Sequence, residues 1–125
     1  MIAVDSSSWI AYLAGAGGPD VAAVESALSE RQACLPPVVL TELLSDPKLP
    51  RAVAELLSEL PLLDPSAGYW ERAGRLRSRV LAAGRKARLA DVLIAQSCLD
   101  HRVALIARDR DFRHFARLAR LKLAT

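Results

Sequence analysis

The chain has few of the residues that staple or anchor a fold. Its 125 residues include two cysteines, Cys34 and Cys98. They can form one disulfide at most, and both lie in apolar stretches, so they read as small buried side chains in a reducing cytosol. The two histidines, His101 and His114, stand alone and form no His-Cys cluster of the kind that binds zinc. Aromatic residues make up 5%, which leaves little with which to stack nucleic-acid bases. No apolar run approaches the roughly 18 residues needed to span a bilayer. The start, Met1-Ile2-Ala3-Val4-Asp5, meets a carboxylate with no basic region before it, so it does not read as a signal peptide. Internal repeats and low-complexity stretches are absent.

What is present is apolar and arginine-rich. A content of 52% hydrophobic and 25% charged residues excludes intrinsic disorder. A chain of this length is expected to make one domain, residues 1–125, with roughly two-thirds of its unfolded surface buried. The net charge of +3 hides an asymmetry: residues 1–68 hold 3 basic and 9 acidic side chains, whereas residues 69–90 hold 7 basic and 1 acidic. Residues 101–125 add 7 basic against 2 acidic. Arginine's planar fork matches two phosphate oxygens at once, so the basic half points to a polyanionic partner or to an ordinary solvated surface.

Short apolar segments at 2–4, 33–35, 62–63, 103–107 and 121–124 read as buried strands. Between them, helices are predicted near 8–14, 20–31, 37–44, 51–60, 67–83, 90–99 and 111–116, from spacings of three and four and from Pro, Gly and Ser boundary residues. Such alternation predicts an α/β fold, a three-layer α/β/α arrangement around a parallel sheet of four to five short strands. Ligands in these folds sit at the carboxyl ends of the strands.

Four acids converge on that edge. Asp5 follows the first strand, Asp109 follows the strand at 103–107, and Asp91 opens a helix. Glu42 sits in a helix otherwise built from Val38, Val39, Leu40, Leu43 and Leu44, where a carboxylate is costly unless compensated. Each has a plainer explanation: Asp5 as a helix cap in competition with Ser6, Ser7 and Ser8, Asp91 as a helix-start acid, Asp109 and Asp111 as turn residues, Glu42 on an exposed stripe. Gathered together, they require protons or a cation. An all-oxygen ligand set selects Mg²⁺, with Mn²⁺ able to substitute. Such ions beside basic side chains suit phosphodiester cleavage.

Met1-Ile2-Ala3-Val4-Asp5-Ser6-Ser7, Glu42 within Val39–Leu44, Asp91 within Ala90–Ala95, and Asp109-Arg110-Asp111-Phe112 together resemble the PIN-domain nucleases, and more narrowly the VapC toxins of bacterial toxin–antitoxin pairs. The resemblance runs from residue 2 to the last strand. It implies a Mg²⁺-dependent endoribonuclease restrained by a cognate antitoxin, cytoplasmic and homodimeric. It implies Asp5, Glu42, Asp91 and Asp109 as catalytic acids, with Asp5, Asp91 and Asp109 on the metal. Ser6 and Asp111 would support them, Ser6 by orienting a ligand. One departure is Ala107, where the family often has threonine.

Arg72, Arg75 and Arg79 share a helical stripe, and Arg85, Lys86 and Arg88 lead to Asp91. With Arg108 and Arg110, and with Arg113 nearby, they are the candidate RNA contacts, of a kind that positions without reading sequence. Alternatively, several of them offset the acidic pocket or pair with Glu71. Trp9, Tyr12 and Leu13 share a face of the first helix and, with the leucine-rich helices at 38–44 and 51–60, are either core or a groove for an antitoxin helix. An aspartyl-nucleophile phosphatase also places Asp after its first strand, but it wants a second acid two residues on, where Ser7 stands, and only Lys48, Lys86 and Lys122 are available as its lysine. The non-enzymatic rival is a metal-free regulatory or protein-binding module whose acids are caps.

Overall fold

The computed structural model describes all of residues 1–125. The apolar triplet Ile2–Val4 forms β1, and Ala33–Cys34 and Ala104–Ile106 form β2 and β3. The helices are α1 (Ser6–Leu13), α2 (Pro19–Ser29), α3 (Pro37–Leu44), α4 (Arg51–Glu59), α5 (Tyr69–Ala82), α6 (Leu89–His101) and α7 (Phe112–Ala119). The sheet is parallel, in the order β2-β1-β3, with Ile2 opposite both Ala33 and Ala104 and Val4 opposite Ile106.

The expected α/β architecture is present, with three strands in place of four to five. The predicted strands at 62–63 and 121–124 are reduced to single parallel bridges, Leu35 to Leu62 and Leu105 to Leu123. Pro61 shortens the first, because proline supplies no N–H to a ladder. The Pro61 carbonyl still accepts from the Leu35 N–H at 2.9 Å. Helix α1 starts two residues earlier than predicted. Asp5, and not one of the three serines, is its N-cap, and its carboxylate accepts from the Ser8 N–H. Helix α7 runs on to Ala119 because Phe112 and Phe115 anchor it in the core.

One core of 25 buried apolar residues spans the sheet and its covering helices. Trp9 is fully buried within it, and Tyr12 donates to Glu25 at 2.7 Å. Neither is therefore free to line a groove, and the packing alternative for that face of α1 holds for both. Cys34 and Cys98 are free thiols, both buried, and burial pushes Cys34 up to about 11. No helix is long and apolar enough to cross a membrane.

The Trp9 indole Nε1 is buried with no hydrogen-bond partner. A buried, unsatisfied donor costs about 1–3 kcal/mol. Trp9→Phe, which removes the donor and keeps most of the volume, is expected to lose less than about 2 kcal/mol of stability, whereas Trp9→Ala loses about 3–5. Urea unfolding distinguishes the two. A Trp9→Phe loss well above about 2 kcal/mol would show that the indole N–H has a native partner.

Candidate active site

Asp5 reaches the carboxyl edge of the sheet because β1 ends there. Its backbone N–H donates to the Ile106 carbonyl at 3.0 Å, so the β1–β3 pairing carries on to the acid itself. The side chain is 2% exposed. Its Oδ1 accepts from the Ser8 N–H at 2.9 Å, and its Oδ2 accepts from the Ser7 hydroxyl at 2.7 Å. Burial raises its pKa; the hydrogen bonds from Ser7 and Ser8 pull it down, and the charge of Asp109 raises it further. Asp5 is thus the cap of α1 and at the same time lies at the sheet edge within electrostatic reach of Asp109. Each oxygen has one donor, which leaves lone pairs for another ligand.

Asp91, Asp109 and Asp111 come together, each offering an oxygen within 4.8 Å of the others. Asp91 lies in the first turn of α6 and Asp109 just past β3. The Asp111 N–H donates to Asp109 Oδ1 at 2.9 Å, a turn that folds the two acids back on each other. At 4.8 Å, two unit charges in an effective dielectric of about 20 repel by about 3 kcal/mol. Asp91 registers this. Burial first, then Asp109, with smaller additions from Asp5 and Asp111, pushes it up to about 6 against a pull downward from Arg88. Capping does not account for the group: Asp111 stands at the N-cap of α7 but makes no capping bond.

The membership of this cluster differs from the sequence-based ligand set. Asp111, expected in a supporting place, is inside it, and Asp5, expected on the metal, lies beside it. Glu42 is outside it too. Helix α3 turns Glu42 to the surface, so it escapes the burial cost anticipated from its apolar neighbours. Its Oε1 accepts from the Ser6 hydroxyl at 2.7 Å, which ties α3 to the residue after Asp5.

The basic candidates divide into two groups. Arg75, Arg85, Lys86, Arg88 and Arg110 are exposed and make no side-chain salt bridge. Arg72 instead gives its fork to Asp100, at 3.1 and 2.7 Å, and not to Glu71. Arg79 donates to the Leu118 carbonyl at 2.9 Å. Arg108 donates to Asp20, the acid after Pro19, at 2.8 and 3.0 Å. The buried Asp20 was missed as a site-edge residue, because next to Pro19 it reads as a helix starter. The pairing spans 88 residues, and no local signal marks it.

Clustered carboxylates at a parallel-sheet edge, with no nitrogen or sulfur donor among them, are the donor set that a hard cation takes. The PIN domain family model matches residues 2–118, and the chain belongs to the PIN-domain family. Its full-length relatives within that family include a VapC ribonuclease of Mycobacterium bovis and ribonuclease VapC11 of Mycobacterium tuberculosis. Each is 30% identical over 134 aligned positions, covering 100% of this chain and 98% of the relative. The fold matches VapBC2 of Rickettsia felis, solved bound to a promoter DNA fragment, with a TM-score of 0.74 at 22% identity, covering 98% and 97% of the two chains. It also matches FitAcB of Neisseria gonorrhoeae, with a TM-score of 0.70 at 18% identity over 100% and 97%.

The raised Asp91 has a thermodynamic consequence. Its folded value lies above the ordinary 3.8, so folding disfavours the ionised form. The penalty is absent below about pH 4, grows as pH rises towards 6, and stays constant above it. In EDTA, Asp91→Asn is expected to match wild type near pH 4. Near pH 7 it should exceed wild type by about 1–2 kcal/mol, after discounting for partial exposure. Urea unfolding at the two pH values measures this. A variant less stable at pH 7 would mean that the favourable helix-start charge of Asp91 outweighs the repulsion.

Proposed function

We propose that residues 1–125 form one catalytic domain, a divalent-metal-dependent endoribonuclease, and that the protein is the toxin of a toxin–antitoxin pair. The observation that carries this reading is the convergence of Asp91, Asp109 and Asp111 beside buried Asp5, with exposed arginines around them. Oxygen donors at this spacing fit Mg²⁺, or Mn²⁺ in its place, and a cation relieves the repulsion that burial and Asp109 impose on Asp91. Asp91, Asp109 and Asp111 would hold it, with Asp5 at its flank. When bound, such an ion makes water more acidic and offsets charge building on the phosphate.

The chain's own residues do the rest. The Ser7 hydroxyl and the Ser8 N–H fix the Asp5 carboxylate with one donor on each oxygen. Ser6 and Glu42 form a hydrogen-bonded couple next to Asp5, and Glu42 orients the attacking water. Arg75, Arg79, Arg85, Lys86, Arg88 and Arg110 meet the sugar–phosphate backbone. Arg72, with Asp100, braces α5 against α6 instead. The VapC relatives are named as ribonucleases, and that supports RNA as the substrate.

The antitoxin is a protein with an apolar helix. A cavity of about 370 Å³ opens between α1, α3 and α4, lined by Ile10, Leu13, Leu43, Leu49 and Val53, with Glu42 among its lining residues. An antitoxin helix laid in it would bring a basic side chain to Glu42 and the acids behind it. The fold neighbours solved as VapBC and FitAB assemblies support such a partner. We further infer that the toxin pairs with a second copy of itself and acts in the cytoplasm, where its thiols stay reduced.

Binding of Mg²⁺ or Mn²⁺ at about 100 times Kd adds about 2.7 kcal/mol of stability. Thermal unfolding of wild type should therefore shift upward with either ion, while an Asp5→Asn/Asp91→Asn double variant stays unmoved. In parallel, RNA cleavage should be lost in EDTA and fall by on the order of 10²-fold or more in either single variant. Sequencing of RNA ends after induction of wild type and of Asp5→Asn reads this in cells. If wild type and the double variant respond alike to metal, the acids are not a cation site, and the metal-free module becomes the better account.

A further inference from the structure

A cavity of about 340 Å³ lies against the other side of Asp109, between the α1–α2 loop and the loop after β3. Its wall carries Gly17, Gly18, Asp20, Arg108, Arg110 and Arg113. Three arginines thus line one space that shares Asp109 with the acid cluster. Arg110 and Arg113 have no carboxylate partner and are exposed.

Arg108 is held differently. Its Nε and Nη2 both donate to Asp20, and Nη2 also donates to the Gly17 carbonyl at 2.7 Å. One side of the fork is therefore saturated, and Nη1 donates to no protein atom. Asp20 is itself fixed. It is 6% exposed and accepts from the Ser8 hydroxyl at 3.1 Å, and the Ser8 N–H donates to Asp5. The chain Asp5–Ser8–Asp20–Arg108 thus links the first acid to the cavity wall. The backbone is shaped around the pair. A Cβ at Gly18 would lie 2.9 Å from Asp20 Oδ1 and 3.0 Å from Arg108 Nη2, at a φ of +133° that side chains rarely adopt.

We propose that this cavity is a subsite for an RNA backbone phosphate next to the one that is cut, with Arg113 and Arg110 as its free cations and Asp20 as the positioning residue that presents Arg108 to it. The inference rests on the ribonuclease reading. A guanidinium already immobilised by three hydrogen bonds loses less freedom on meeting a phosphate than one free in water. That is why a carboxylate can sit among phosphate-binding arginines: it takes the inner edge of one fork and leaves the outer edge to the ligand. Once a cation occupies the acids, Asp109 no longer opposes the anion.

The test is binding of a single-stranded oligoribonucleotide by fluorescence anisotropy across a KCl series at constant Mg²⁺, in a Glu42→Gln background, which leaves the three clustered carboxylates in place while slowing cleavage so that the probe survives. Arg113→Gln should weaken binding roughly tenfold. It should also flatten the plot of log affinity against log salt by about 0.7, the value for one lost phosphate contact to a single strand. Arg51→Gln, which removes the same charge from the distant, 94% exposed Arg51 side chain, should leave the salt slope unchanged. Asp20→Asn is the sharper arm. It makes the wall more positive, so charge alone predicts tighter binding. The subsite predicts weaker binding, because Arg108 loses its anchor.

Equal slopes for the Arg113 and Arg51 variants would overturn the subsite, as would tighter binding by Asp20→Asn. If Asp20→Asn fails to fold, the arginine pair still decides. If the parent binds no RNA and wild type cleaves none, the ribonuclease reading itself falls and takes the subsite with it. Cleavage by wild type alongside equal slopes removes the subsite alone.

Discussion

Negative charges held together against their mutual repulsion are the constraint around which this molecule is arranged. The parallel pairing of β1 with β3 delivers Asp5 and the Asp109 loop to one edge, and α6 brings Asp91 to the same edge with its first turn. Burial makes the arrangement more strained, since it raises both Asp5 and Asp91. The apolar core must supply the free energy that holds them there, and it does so with a fully buried Trp9 on α1 and Phe112 and Phe115 on α7, the helices that follow the two acid-bearing turns. Stability and site are in tension here, and the proposed divalent ion would relieve it.

The strand–helix alternation was legible because apolar triplets and three-four spacings are local signals. Asp5, Asp91 and Asp109 stood out because each lies at an element boundary, whereas Glu42 stood out as a charge within the apolar α3. What escaped was the detail set by distant partners. Asp5 reads as one of four residues competing to cap α1; only the Ser8 N–H and the Ser7 hydroxyl on its two oxygens show that it is the one that does so. Asp111 reads as a turn residue, and its place beside Asp91 depends on how the loop after β3 folds. The arginine stripe of α5 reads as uniform, yet Arg72 is spent on Asp100 across 28 residues. Trp9 and Leu13 lie four apart on one helix, and packing buries the first while leaving the second at the rim of a cavity. Sequence periodicity cannot separate those two fates, because both positions are apolar and differ only in what lies opposite.

The two sides of the acid cluster differ in chemistry. On one, Glu42 adjoins an apolar hollow between α1, α3 and α4. On the other, Asp109 adjoins a polar hollow walled by arginine. Helix α1 contributes to the first through Ile10 and Leu13, and through Ser8 it supports Asp20 at the second. A short eight-residue helix thereby connects both flanks to the N-cap carboxylate, and a disturbance of its packing reaches all three places.

The single bridges at Leu62 and Leu123 have a different consequence. The first meets Leu35, the residue just past β2, and the second meets Leu105 within β3, so each outer edge carries chain paired at a single residue. A newcomer strand therefore finds no continuous row of free amides and carbonyls to zip onto. A strand added at either edge would first have to displace one of these bridges, which puts the backbone at a disadvantage against side chains and helices as the means of meeting another macromolecule.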